Sequence, residues 1–358
     1  DAMRQIRVGP ESAGSEPGPA CYGRGGARPA VTDADLVLGR LDPVEFAGGS
    51  IRLQPEASET ALTAEIGGAL GMEALEAAWG VAEVVDENMA NAARVHAVEN
   101  GEDLSEYTMI AFGGAAPLHA ARLCEKLGIS RCLVPPGAGV GSAIGFLKAP
   151  FSFEASRSVF MRMGAFDAAA VKTLFAEMEA EASAFVRSCD ATAEIGTEHK
   201  VFMRYSGQGW EIPVALSPAL AAAPDGAAIL RLFEAEYEKL FGRTVEGLEA
   251  EVTVWSVNAF TRTEAPATAA PTVEGAAAAP EGARRLFDPA LGEAVEASVY
   301  AREALTHGAI LAGPAAVTER ETTVIVPMSR RLTALSDGCL DLQETEAAAA
   351  PAKEAAHG

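Results

Sequence analysis

The stretch Thr108-Met-Ile-Ala-Phe-Gly-Gly-Ala-Ala-Pro-Leu-His119 constrains this chain more than any other. It predicts a short buried strand over Met109–Phe112, a turn at Gly113-Gly114, and a helix starting near Pro117 and running to Leu127. Gly128 follows at the position where a helix end commonly turns left-handed. Glycine belongs where backbone must come close to a ligand, because a Cβ would stand in the way. The free N–H groups and positive dipole end of the next helix favour a phosphate or another polar group. The pattern fits a nucleotide site, and it fits an ordinary α/β connection equally well.

At 358 residues, 49% of them hydrophobic, the chain is too long for one ordinary core, and two or three domains are expected. Neither a long uninterrupted apolar run nor a basic leader with an apolar stretch occurs, so no membrane span or secretory signal is predicted. The expected location is cytoplasmic. A net charge of −22 argues against nucleic acid or an anionic membrane surface as partner. Residues 1–40 are balanced, with five basic and five acidic side chains, so the acid lies in later helices and the tail. The five cysteines form no C-x-x-C pair, which is neither a disulfide framework nor a zinc signature. Cys21 alone sits in a loop worth testing.

The segment Pro10–Gly26 is dense in Gly and Pro and reads as a loop. A helix is expected over Ala34–Leu41 with Thr32 or Asp33 as N-cap, and further helix over 58–71. From Met72 to Asn100 one long helix is predicted, because Met72, Leu75, Trp79, Ala82, Val85, Met89, Ala92 and Val95 fall at steps of three and four. A second strand over Arg131–Pro135 precedes another glycine-rich loop, Pro136–Gly145. Helix, strand, helix, strand is an α/β pattern over 1–150. Residues 151–262 read as α+β, with a β-hairpin of Lys200–Tyr205 and Trp210–Leu216. Residues 263–282 read as a linker or long loop, 283–343 as a small β domain, and 344–358 as a flexible tail.

Several of these stretches resemble one family. Val8-Gly-Pro-Glu-Ser-Ala-Gly14, Pro17-Gly-Pro-Ala-Cys-Tyr-Gly-Arg-Gly-Gly26 and Val31-Thr-Asp33 are similar to motifs of the hydantoinase/oxoprolinase family, A-type subunit. So are Ala111–Ala120, Met203-Arg-Tyr-Ser-Gly-Gln208 and Gly313-Pro-Ala-Ala-Val317 with Thr322–Pro327. The resemblance runs in order from about residue 7 to 342. It implies an actin/Hsp70-like ATPase subdomain followed by an α+β region and a small C-terminal β domain. It also implies ATP and Mg²⁺ as cofactors, with Gly113, Gly114 and Ala115 along the adenosine side of the nucleotide and Leu118 behind it. His119 either approaches the nucleotide or faces solvent, and the second reading is preferred. Asp33 and Glu11 are the candidate catalytic residues, with Ser12 and Arg24 as nearby polar groups; Asp33 as a cap, Glu11 as a loop brace and Arg24 as a surface cation are the structural alternatives. No histidine cluster has metal-ligand spacing, so no metal site is expected here.

This sequence lacks the family's Asp-Thr-Gly-Gly-Thr-type phosphate loop and the second phosphate loop that precedes Val-Gly-Pro-Glu-Ser, and it has Ala116 where relatives often have Gly. The resemblance therefore implies the C-terminal portion of an A subunit, inactive alone, with the N-terminal half and a B-type subunit as partners. The implied activity is ATP-dependent opening of a hydantoin, oxoproline or lactam through a phosphorylated carbonyl oxygen. One alternative is a subunit of an ATP-dependent ketone carboxylase of the acetone or acetophenone type. The other is a non-catalytic half that contacts nucleotide or docks partners.

Overall fold

The computed structural model describes residues 3–262 and 278–345, and its contacts divide the chain into two compact units. Most of the expected linker, and the expected tail beyond residue 345, lie outside the described residues. Among the described residues no helix is long and apolar enough to cross a membrane.

The first unit is Asp1–Leu147 with Thr268–Gly358. Its N-terminal part holds helices α1 (Val31–Val37), α2 (Pro55–Leu62), the single turn α3 (Gly68–Leu70) and the long α4 (Ala74–Asn100). Strand β1 (Thr108–Ile110), α5 (Ala116–Leu127), β2 (Arg131–Val134) and α6 (Gly141–Lys148) follow. α1 starts earlier than its sequence predicts, because its N-cap is Ala30. Asp33 lies inside the first turn and reaches back to accept the Ala30 N–H at 2.8 Å. It closes the turn from within instead of capping it from outside.

α4 ends at Gly101 with φ 70°, as predicted, and Leu75, Trp79 and Ala82 of the predicted stripe do meet the core, but its C-terminal members do not. Met89 is 39% and Val95 55% exposed. The buried line runs through Ala78, Ala82, Asp86 and Ala90 at steps of four. Small side chains let neighbouring helices approach closely, and α1 and α5 both pack on this helix. Large apolar residues would hold them apart.

The second unit, Lys148–Ala267, contains β3 (Ser152–Arg157), β4 (Met161–Arg162), α7 (Ala168–Cys189), β5 (Ile195–Tyr205), β6 (Ile212–Leu216), α8 (Pro218–Ala222), α9 (Gly226–Phe241) and β7 (Ala250–Thr261). The strands form one antiparallel sheet in the order β3-β7-β5-β6, with β4 also on β7. β5 and β6 make the hairpin that the sequence alternation predicts. Asp167 and Asp225 cap α7 and α9 with their carboxylates. Phe175 and Met178 of α7 and Phe233 of α9 share a core with Val201, Met203 and Trp255 of the sheet.

The remaining strands return to the first unit: β8 (Gly282–Asp288), β9 (Glu293–Ala301), β10 (Ile310–Ala312), β11 (Ala315–Thr318), β12 (Thr323–Val326), β13 (Arg330–Ala334) and β14 (Leu340–Glu344). The sequence sets 283–343 apart as a small β domain, and the structure corrects this. β14 pairs antiparallel with β2, giving a sheet β1-β2-β14-β13-β10, while β12-β11-β9-β8 form a second sheet. Alone, β2 leaves an unpaired edge, and β14 pairs with it. Arg131 of β2 and Asp341 of β14 add a bidentate ion pair, both bonds 3.0 Å.

Candidate functional site

β1 and β2 run parallel, with Thr108 opposite Arg131 and Ile110 opposite Leu133. Two glycine-rich turns leave their carboxyl ends, the place where open α/β sheets receive ligands. The first, 111–115, leads into α5. The second, 135–140, leads through Gly137, at φ 66°, into α6. They are tied together: the Ala111 N–H donates to Leu133 O at 2.9 Å and the Gly113 N–H to Ala138 O at 2.7 Å.

Gly113 has φ +113°, a backbone conformation that L side chains rarely adopt. Nothing lies within 4 Å of where its Cβ would stand, so the requirement is conformational and the space beside it is open. Gly114 has no such strain, and a Cβ there would make only an ordinary 3.6 Å contact with Glu321 O. Gly114 and Ala115 are exposed. Ala115 is the N-cap of α5, and Pro117 stands in its first turn, where a missing N–H costs nothing. The loop thus offers exposed backbone at a positive helix end.

Leu118 is buried with Cys21, Leu36, Leu41 and Leu53. His119 does not face solvent; it is 3% exposed. Its Nδ1 lies 2.8 Å from Asp86 Oδ1 of α4, and its Nε2 3.3 Å from Asp35 Oδ2 of α1. Arg40 Nη1 donates to Asp35 Oδ1 at 2.9 Å and sits 3.2 Å from His119 Nδ1. Burial alone would lower the imidazole pKa, but the Asp35 charge and the bonds to Asp35 and Asp86 outweigh it and push it up to about 9. His119 is therefore an imidazolium at neutral pH, and two carboxylates, one guanidinium and one imidazolium cancel. Asp35, likewise buried, is held below the usual carboxylate range despite its desolvation, by His119 and Arg40. The cluster fastens the first turn of α5 to α1 and α4. It sits one turn from the glycine pair.

Asp33 is fully buried. Its two oxygens accept four hydrogen bonds: from Ala20 N at 3.1 Å, Cys21 N at 2.8 Å, Ala30 N at 2.8 Å and Ser58 Oγ at 2.6 Å. A carboxylate so engaged holds the Gly/Pro-rich loop onto α1 and α2, and it has no lone pair left for proton transfer. Glu11 is the opposite case. Its side chain is 91% exposed, with Arg28 4.0 Å away. In this structure Asp33 is a brace and Glu11 an exposed loop charge. Arg24 donates to Ser15 O at 3.3 Å and lies over the Tyr22 ring, again within the loop. Cys21 is buried, and burial followed by the Asp33 charge pushes its thiol up to about 12, so it is an inert thiol.

Sequence reading passed over Asp35, Arg40 and Asp86. Only Asp86 leaves a trace in the sequence, as a carboxylate in a line of alanines. A buried carboxylate needs a partner on a neighbouring element.

Two glycine turns at the ends of adjacent parallel strands, each leading into a helix, give a backbone-lined opening in an α/β unit. Two family models match the chain: hydantoinase/oxoprolinase over residues 1–155 and the hydantoinase/oxoprolinase C-terminal domain over residues 164–344. The chain belongs to the hydantoinase/oxoprolinase family. It is 32% identical to the acetophenone carboxylase gamma subunit of Aromatoleum aromaticum over 96% of its own length and 48% of that protein. The nucleotide-free structure of acetone carboxylase matches with a TM-score of 0.76 and 25% identity, over 96% of this chain and 50% of that one. The ATP-dependent caprolactamase of Pseudomonas jessenii matches with a TM-score of 0.76 and 28% identity, over 97% and 51%. The chain spans about half the length of the curated relatives it matches.

Proposed function

We propose that this chain supplies the adenosine-side loop of an actin/Hsp70-like ATP site, in a subunit that opens a cyclic amide. The observation that carries the reading is the pair of tied glycine turns. Gly113 leaves open space beside its backbone, and Gly114 and Ala115 are exposed at the start of α5. These features fit a nucleotide: N–H groups and a positive helix end suit polar ligand atoms, and the missing Cβ atoms admit a flat group close to backbone. Gly113, Gly114 and Ala115 are its contacts, Leu118 the apolar support behind them, and His119 the residue that fixes the helix below. ATP would supply phosphorylation of the carbonyl oxygen, which turns a poor leaving group into a good one, and Mg²⁺ would offset the triphosphate charge. No Asp-Thr-Gly-Gly-Thr loop occurs in these 358 residues. For the groups that grip the phosphates and the substrate, an N-terminal A-type half and a B-type subunit are the proposed sources.

A ketone carboxylase subunit is the second reading, favoured by the 32% identity to an acetophenone carboxylase subunit. ATP turnover by the protein carrying this chain, assayed with its partner subunit against cyclic amides and ketones, separates the two. Turnover coupled to ring opening without bicarbonate is expected. Turnover that requires bicarbonate and consumes a ketone overturns the amide reading in favour of the second.

A further inference from the structure

The glycine-pair loop is held by more than its chain neighbours. β11 and β12 form an antiparallel hairpin whose tip is closed by the Glu319 N–H donating to Thr322 O at 2.9 Å. That tip lies against both glycine turns. Thr322, 7% exposed, donates from Oγ1 to Gly114 O at 2.8 Å, although 208 residues separate them in sequence. A Cβ on Gly139 would come within 2.4 Å of Glu321 Cβ, so the tip stands as near the second turn as glycine allows.

The hydroxyl bond has a geometric consequence. In a trans peptide the C=O of residue 114 and the N–H of residue 115 lie in one plane and point opposite ways. Holding the Gly114 carbonyl toward the hairpin aims the Ala115 N–H away from it, at the exposed N-terminus of α5. The peptide before Gly113 is fixed in turn by Ala138 O, at 2.7 Å. A glycine pair is otherwise the softest backbone in the region, free to flip either peptide.

We propose that Thr322 is a positioning residue for nucleotide binding. Its hydroxyl selects the orientation of the Gly114–Ala115 peptide that presents the Ala115 N–H to the ligand, so the C-terminal hairpin sets the affinity of the loop. This rests on the nucleotide reading of that loop. The hydroxyl itself touches only backbone and acts through it.

The test is equilibrium binding of a fluorescent ADP analogue to the protein carrying this chain. Thr322→Val keeps the shape and removes the donor. It is expected to weaken binding about tenfold, the size of one hydrogen bond, with the thermal midpoint little changed. Thr322→Ser keeps the hydroxyl and is expected to bind as the native protein does. If Thr322→Val lowers the midpoint substantially, Thr322→Ala against Thr322→Ser reads the same question, and equal affinities for that pair overturn the proposal. Native affinity in Thr322→Val alongside lost affinity in Gly114→Val overturns the proposal and leaves the nucleotide loop standing. Native affinity in Gly114→Val as well overturns both.

Discussion

Two buried acids, Asp33 and Asp86, do different work, as their donors show. Asp33 receives two backbone N–H groups of the Gly/Pro-rich loop, one from the start of α1 and one hydroxyl from α2. Asp86 receives the His119 imidazolium, and its second oxygen has no partner among the described residues. Asp33 is a closed structural joint, while the Asp86 joint depends on a proton. His119, at about 9, lies above its ordinary 6.5. The folded state therefore binds the proton more tightly than the unfolded chain. The resulting stabilisation is complete below pH 6.5 and is lost as pH rises through about 9. A shift of this size corresponds to about 3 kcal/mol, to order of magnitude. The thermal midpoint is expected to fall across that window in the native protein. In His119→Gln it is expected to be lower at the outset and flatter. Equal pH slopes for the two proteins contradict the assignment.

At the scale of elements, α4 shows where periodicity succeeds and where it fails. The helix and its glycine stop are legible in the sequence because length, apolar spacing and Gly101 agree. The buried face is legible only in part: Ala82 lies on the predicted stripe, but Ala78, Asp86 and Ala90 do not, because alanine weighs little in a search for large apolar residues. Yet alanine is what allows α1 and α5 close to α4. Two substitutions separate these readings. At Ala78, fully buried and outside the predicted stripe, a change to Leu is expected to cost about 1–3 kcal/mol, as overpacking forces its neighbours apart. Met89→Gln, on the face that spacing alone marks as core, is expected to change stability by less than about 0.5 kcal/mol. Denaturant unfolding of both variants measures this, and the reverse order would restore the predicted stripe.

For the whole molecule, sequence order misleads about domains. The strands over 283–343 look like a separate β domain because an Ala/Pro-rich stretch precedes them. They are instead sheet partners of β2 and a wall beside the glycine turns, through contacts some 200 residues apart in sequence. Pairing across such distances leaves no local signature; the Arg131–Asp341 ion pair and the Thr322 hydroxyl bond become visible only in three dimensions. The loop motifs were legible for the opposite reason, since Gly113 answers a local backbone demand that residue type records directly. What joins both halves of this account is the claim that the 113–115 backbone meets a nucleotide. The most direct test is ATP affinity, by calorimetry, of the protein carrying this chain, with and without Gly114→Val. The fold has room for a Cβ there, so the variant is expected to keep its thermal midpoint to within a few degrees and to lose ATP binding. Unchanged affinity in a folded Gly114→Val protein would contradict the nucleotide site.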